Sequence, residues 1–114
     1  MSRVVVKIGT SSLTDEAGVI DTSVINDVSS QVAALRAQGH TVTIVTSGAI
    51  SAGMPVLDIS AKNRPSDAVT LQALSSIGQP ALLQTWSESL AEHGITTGQI
   101  LLAPHNFGER RSGV

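Results

Sequence analysis

Lys7, Gly9, Thr10, Ser11 and Ser12 stand almost adjacent and combine what a phosphate group needs: an ammonium charge, a glycine that admits a ligand close to the backbone, and three hydroxyls with no competing carboxylate. Lys7 interrupts the run Val4-Val5-Val6-Lys7-Ile8, whose stiff branched side chains suit a strand buried on both faces. An unpartnered lysine is costly in such a place, so it either snorkels from an edge strand or faces an anion at the strand's carboxyl end. A second group of small residues, Ser47-Gly48-Ala49-Ile50-Ser51-Ala52-Gly53, follows another β-branched run. A helix starting there would aim free N–H groups at an anion, whereas a glycine-softened turn would bind nothing.

Other chemistries lack their residues. Gly48 and Gly53 have the separation of a Walker A loop, but Met54-Pro55 stand where lysine and a hydroxyl residue are required, and no Gly-x-Gly-x-x-Gly follows either strand. His40, His93 and His105 fall at element ends without metal-ligand spacing, so they read as structural or solvated. No carboxylate pair or Ser-His-Asp set is arranged for hydrolysis or general-base chemistry. Phosphoryl transfer to a carboxylate needs no base, because a nucleophile with a reference pKa of about 4.3 is already ionised at neutral pH. Positioning and charge stabilisation then carry the reaction.

The elements that must position these groups follow from spacing. Leu13 to Ile20 reads as a small excursion turning at Asp15-Glu16-Ala17-Gly18. Asp21 or Thr22 caps a helix with Val24, Ile25, Val28, Val32 and Leu35 on its apolar side, Gly39 ends it, and Thr41 to Thr46 forms the second strand. This is a β-α-β unit. Residues 56–67 read as a polar surface loop, and Pro65-Ser66-Asp67 introduces a helical segment running to His93. Gly78-Gln79-Pro80 should bend or divide that segment, and Trp86 lies on its apolar face to pack against the sheet or a partner. Ile95 to Leu102 is expected as a third strand, with Ile100, Leu101 and Leu102 buried. The order predicts an α/β fold, a three-layer α/β/α sandwich with a mostly parallel sheet and helices on both faces. In such a sheet the ligand site lies beyond the strands' carboxyl ends, where Lys7, Gly9 and Thr10 would meet Ser47, Gly48 and Ala49 if the two strands are neighbours.

With 114 residues, 41% hydrophobic and 14% charged, the chain is at most one domain with a real core, and 2% aromatics make that core aliphatic. A formal net charge of −2, with Arg110-Arg111 the only adjacent basic pair, shows no footprint for nucleic acid or an anionic membrane. Cysteine is absent, which excludes disulfides and thiolate chemistry, and the opening valine run is too short for a leader or a membrane span. A cytoplasmic address is expected.

The runs Val5 to Thr14 and Val45 to Gly53 resemble the two amino-terminal signatures of the amino acid kinase family, in the branch that phosphorylates glutamate. Gln72 to Gln79 and Gly98 to Leu102 are similar to that branch as well, so the resemblance reaches to about Arg110. It implies ATP-dependent phosphorylation of the side-chain carboxylate of L-glutamate, the first step of proline biosynthesis, with Mg2+ bound to ATP. By position, Lys7 would neutralise charge on the transferred phosphoryl group, the Gly9 and Thr10 backbone would lie against the phosphates, and Ser47, Gly48 and Ala49 would hold glutamate. A full-length enzyme of this kind is expected to be a homo-oligomer.

Family members are more than twice this length, and the rest of their chain supplies further substrate contacts, the nucleotide loops and a second lysine. Residues 1–114 are therefore expected to be the amino-terminal part of an amino acid kinase domain, lacking the nucleotide-binding half and inactive alone. Two alternatives stand beside this reading: a family member acting on a different acid, and a non-catalytic glutamate-binding module.

Overall fold

The structure, a computed structural model, describes residues 1–100. Two strands, β1 (Arg3–Ile8) and β2 (Thr41–Thr46), pair in parallel with Val4 opposite Val42, Val6 opposite Ile44 and Ile8 opposite Thr46. Four α-helices accompany them: α1 (Thr10–Leu13), α2 (Thr22–Ala37), α3 (Ala49–Val56) and α4 (Ala68–Ala91), with a 3-10 turn at Ala61–Asn63. The fold is α/β, as the residue spacing predicts.

Local chemistry explains most of the boundaries. Asp21 caps α2 by accepting from the Ser23 N–H at 3.0 Å, and Asp67 caps α4 by accepting from the Thr70 N–H at 3.0 Å and its hydroxyl at 2.6 Å. The Ser23 and Thr70 hydroxyls, followed by the same residues' N–H groups, hold both carboxyls below the usual aspartate range. Gly39, at φ 90°, ends α2: its N–H donates to the Arg36 carbonyl, and the His40 N–H donates to Leu35. Gly94 and Ile95 repeat that left-handed stop after α4, on the carbonyls of Ala91 and Leu90. Between β1 and α2, the excursion closes where predicted. Asp15 Oδ1 accepts from the Ala17 and Val19 N–H groups, and Thr14 bridges antiparallel to Ile20.

One face of the sheet carries the core. Val6, Ile8, Val42 and Ile44 pack with Leu13, Ile25, Val32, Leu82, Trp86 and Leu90 from α1, α2 and α4. Trp86, 4% exposed, is a core residue. Each fully buried leucine contributes about 1.5–3 kcal/mol. The opposite face is open: Val5 is 67% exposed, Val45 is 42% exposed, and Lys7 is exposed beside Val45. The expectation of a strand buried on both faces does not hold for β1 among the described residues, because α1, α2 and α4 all meet the same side. The described residues thus build two of the three expected layers.

Two further expectations change. Of the two outcomes expected at Gly78-Gln79-Pro80, division does not occur: α4 runs unbroken through Pro80. Its support is tertiary. A Cβ added to Gly78 would overlap the Ala49 carbonyl oxygen and lie 2.5 Å from the Gly53 backbone N, and one added to Gly53 would lie 3.1 Å from the Gly78 N. The two glycines let α3 and α4 cross backbone to backbone, so Gly53 of the small-residue run serves helix-to-helix packing. The third strand does not form over residues 95–100. Ile95 is taken up by the helix stop and packs on the core, while Ile100 is 86% exposed. The Leu101-Leu102 part of that strand, with the tail carrying His105 and Arg110-Arg111, lies outside the described residues.

Candidate active site

Parallel pairing brings the two expected loops to the same edge of the sheet. The Ser47 N–H donates to the Ile8 carbonyl at 3.0 Å, which ties the exit of β2 to the exit of β1. Beyond that link each strand turns straight into a helix. Gly9 is the N-cap of α1 and Gly48 the N-cap of α3, and neither has a side-chain cap. The first-turn N–H groups of both helices therefore have no carboxylate of their own, in contrast to α2 and α4 behind Asp21 and Asp67.

The six expected residues occupy different environments. Lys7 leaves the open face of the sheet one residue before its carboxyl edge, so its charge carries no burial cost. Gly9 is exposed with φ −83° and ψ 165°, a backbone any residue adopts, and an added Cβ would meet nothing within 4 Å. Nothing inside the described fold requires glycine there. Thr10 is half-buried in the first turn of α1, where its carbonyl accepts from the Thr14 hydroxyl at 3.0 Å. Ser47 is exposed at the edge, Gly48 is buried, and Ala49 is half-buried at the start of α3. Gly48 has φ 114°, a conformation that only glycine adopts without strain.

The arrangement is an open shelf, not a closed pocket. A cavity of about 140 Å³ lies between the excursion, α3 and α4, lined by residues such as Ile20, Ser51 and Leu82, and a groove of about 540 Å³ runs along the outside of α4. Neither is lined by any of the six residues. Chemically, the shelf offers one ammonium group, two uncapped helix starts and a serine hydroxyl, which suits anions. Neither loop, from Lys7 to Leu13 or from Thr46 to Gly53, contains an acidic residue. Among the described residues no cluster of three or more His, Cys, Asp or Glu could hold a metal ion.

Residue-by-residue reasoning missed what lies beneath the shelf. A Cβ on Gly48 would sit 3.3 Å from Ile20 Cδ1, 3.6 Å from Leu13 Cδ1 and 3.9 Å from Leu82 Cδ1. The only sequence signal was a pair of apolar residues flanking the Asp15 turn, an excursion that demanded no chemistry by itself.

The chain is similar to known kinases along nearly all of its length. Over 107 residues the chain is 45% identical to a glutamate 5-kinase of Mycolicibacterium vanbaalenii, an alignment covering 94% of this chain and 29% of that one. It is 43% identical over 108 residues to glutamate 5-kinase 1 of Bacillus licheniformis, covering 95% and 29% of the two chains. With the glutamate 5-kinase of Thermus thermophilus it shares 42% identity over 108 residues, covering 95% and 28%. The chain thus spans less than a third of the length of these relatives. No helix among the described residues is long and apolar enough to cross a membrane. The sequence model of the amino acid kinase family matches residues 2–113, nearly end to end, and on that match the chain belongs to the amino acid kinase family.

Proposed function

We propose that residues 1–114 form the amino-terminal part of an amino acid kinase domain that phosphorylates the side-chain carboxylate of L-glutamate with ATP. The observation that carries this reading is the common edge: the Lys7-Gly9-Thr10 loop and the Ser47-Gly48-Ala49 loop are joined by the Ser47–Ile8 hydrogen bond, and both helices there begin uncapped. The relatives' name, glutamate 5-kinase, supports glutamate over another acid.

In this mechanism a glutamate carboxylate oxygen attacks the terminal phosphorus of ATP in line, one P–O bond forms as the bond to ADP breaks, and glutamyl 5-phosphate and ADP result. Lys7 neutralises charge on the transferred group, and the N–H groups behind Gly9 and Thr10 face the phosphates. Ser47, Gly48 and Ala49 hold the glutamate. ATP fits the uncapped helix starts and the unobstructed space at Gly9. Mg2+ does not find protein ligands in these acid-free loops, so it belongs with the nucleotide phosphates and no step here runs through it. The same reading places the reaction at the start of proline biosynthesis, in the cytoplasm, in a homo-oligomeric enzyme.

Calorimetric titration of L-glutamate into the chain, with and without ATP, tests binding. Turnover is tested by replacing the corresponding segment of the Thermus thermophilus relative with residues 1–114 and following glutamate-dependent ADP release. In that chimera Lys7→Ala is expected to collapse turnover far more than glutamate binding, and equal losses in both would count against the role given to Lys7.

A further inference from the structure

We infer that Ile20 is a positioning residue for the proposed glutamate loop, setting the shape of Gly48 from below through its Cδ1 methyl; this rests on the reading of Ser47, Gly48 and Ala49 given above. Gly48 is held at φ 114° and ψ 3°, and a Cβ placed on it would meet Ile20 Cδ1 first, at 3.3 Å, before Leu13 Cδ1 and Leu82 Cδ1. A glycine has no side chain to lock its own backbone, so its conformation is set by what packs against it.

Ile20 is itself held by a built device rather than by chain flexibility. The Asp15 carboxylate knots the turn, the Asp15 N–H donates to Val19, the Asp21 N–H donates to Leu13 at 2.7 Å, and Thr14 pairs with Ile20. The excursion's tip lies close to Ala61, whose Cβ leaves no room for a side chain at Gly18. Leu13 belongs to the same floor and ends α1, the helix that starts at Gly9. The floor therefore supports the glutamate loop directly and the phosphate loop through its helix. Ile20 also lines the cavity of about 140 Å³. With open space beside it, loss of Cδ1 leaves the loop above with less support and more freedom.

Ile20→Val removes that methyl and little else, while Ile20→Leu restores a δ-carbon. Val69→Ala alters an exposed residue of α4, outside the excursion, as a control. The first readout needs no ligand. Amide exchange of the Ser47 N–H, bonded to Ile8, and of the Ala52 N–H, bonded to Gly48 at 2.9 Å, brackets the glycine. In Ile20→Val both should exchange about tenfold faster, a change equal to about 1.4 kcal/mol of local opening, while the Leu71 N–H on Asp67 keeps its protection. The second readout is L-glutamate affinity of the Thermus thermophilus chimera carrying residues 1–114: about fivefold or more weaker in Ile20→Val, restored to within about twofold in Ile20→Leu, and unchanged in Val69→Ala. Unchanged exchange at Ser47 and Ala52 overturns the inference. So does a loss of glutamate affinity that is the same in the valine and leucine variants and tracks only their melting temperatures. If the unsubstituted chimera shows no glutamate binding but the exchange pattern holds, the site reading fails while the support of Gly48 by Ile20 stands.

Discussion

Gly9→Ala separates ligand-facing from fold-bearing glycines with a single methyl. At this position the backbone lies at φ −83°, ψ 165°, and no atom stands within 4 Å of the new Cβ, so the folded state accepts alanine without strain. The unfolded chain loses conformational freedom, which favours the fold by about 0.4–1 kcal/mol. Thermal denaturation should therefore show an unchanged or slightly raised melting temperature. Binding should move the other way. The methyl stands where a phosphate would approach the α1 start, and displacing one hydrogen bond between a backbone N–H and an ionised oxygen costs about 1.5–3 kcal/mol. At about 1.4 kcal/mol per tenfold, ATP affinity of the Thermus thermophilus chimera carrying residues 1–114 should fall roughly 10- to 100-fold, read from ATP-induced shifts of the Thr10 and Ser11 amide resonances. Wild-type ATP affinity in a correctly folded Gly9→Ala variant would refute the phosphate role. A large drop in melting temperature would refute the open-space account of Gly9.

The same substitution at Gly78 should do the reverse: helix propensity favours alanine by about 1 kcal/mol, but overlap with the Ala49 carbonyl is backbone against backbone. An overpacking cost of about 3 kcal/mol leaves a net loss of about 2 kcal/mol, or roughly 8–16 °C in melting temperature for a domain of this size, and a stabilised Gly78→Ala would show that α3 and α4 do not cross at the glycines. Asp21→Ala with Asp67→Ala should lower the melting temperature at about pH 7, with the deficit shrinking towards about pH 3. The sign follows from both carboxyls being held low in the fold: their contribution is full above the ordinary aspartate range, near 3.9, and is lost as the pH falls through the lowered values. A deficit that does not change with pH would remove the carboxylate charge from the capping account.

What was legible in the residues alone is what depends on a few neighbours in sequence. Asp21, Gly39, the Asp15 turn and the β-branched runs act through hydrogen bonds and torsions spanning about one turn of chain, and each formed where its type predicted. The pairing of the Lys7 and Ser47 loops was also readable, because a right-handed β-α-β unit returns its second strand parallel to its first and brings both exits to one edge. Tertiary structure decided the rest. Which face of β1 is buried depends on where α2 and α4 settle, so the unbroken valine run could not reveal that Val5 and Lys7 stand on the open side. Pro80 lacks an N–H and Gly78 favours coil, yet α4 continues through both because a second backbone lies against Gly78. Ile20, far in sequence from Gly48, comes to lie beneath it only once the excursion folds back. Contacts between residues distant in sequence arise from packing, and packing is a property of the assembled layers rather than of any single segment.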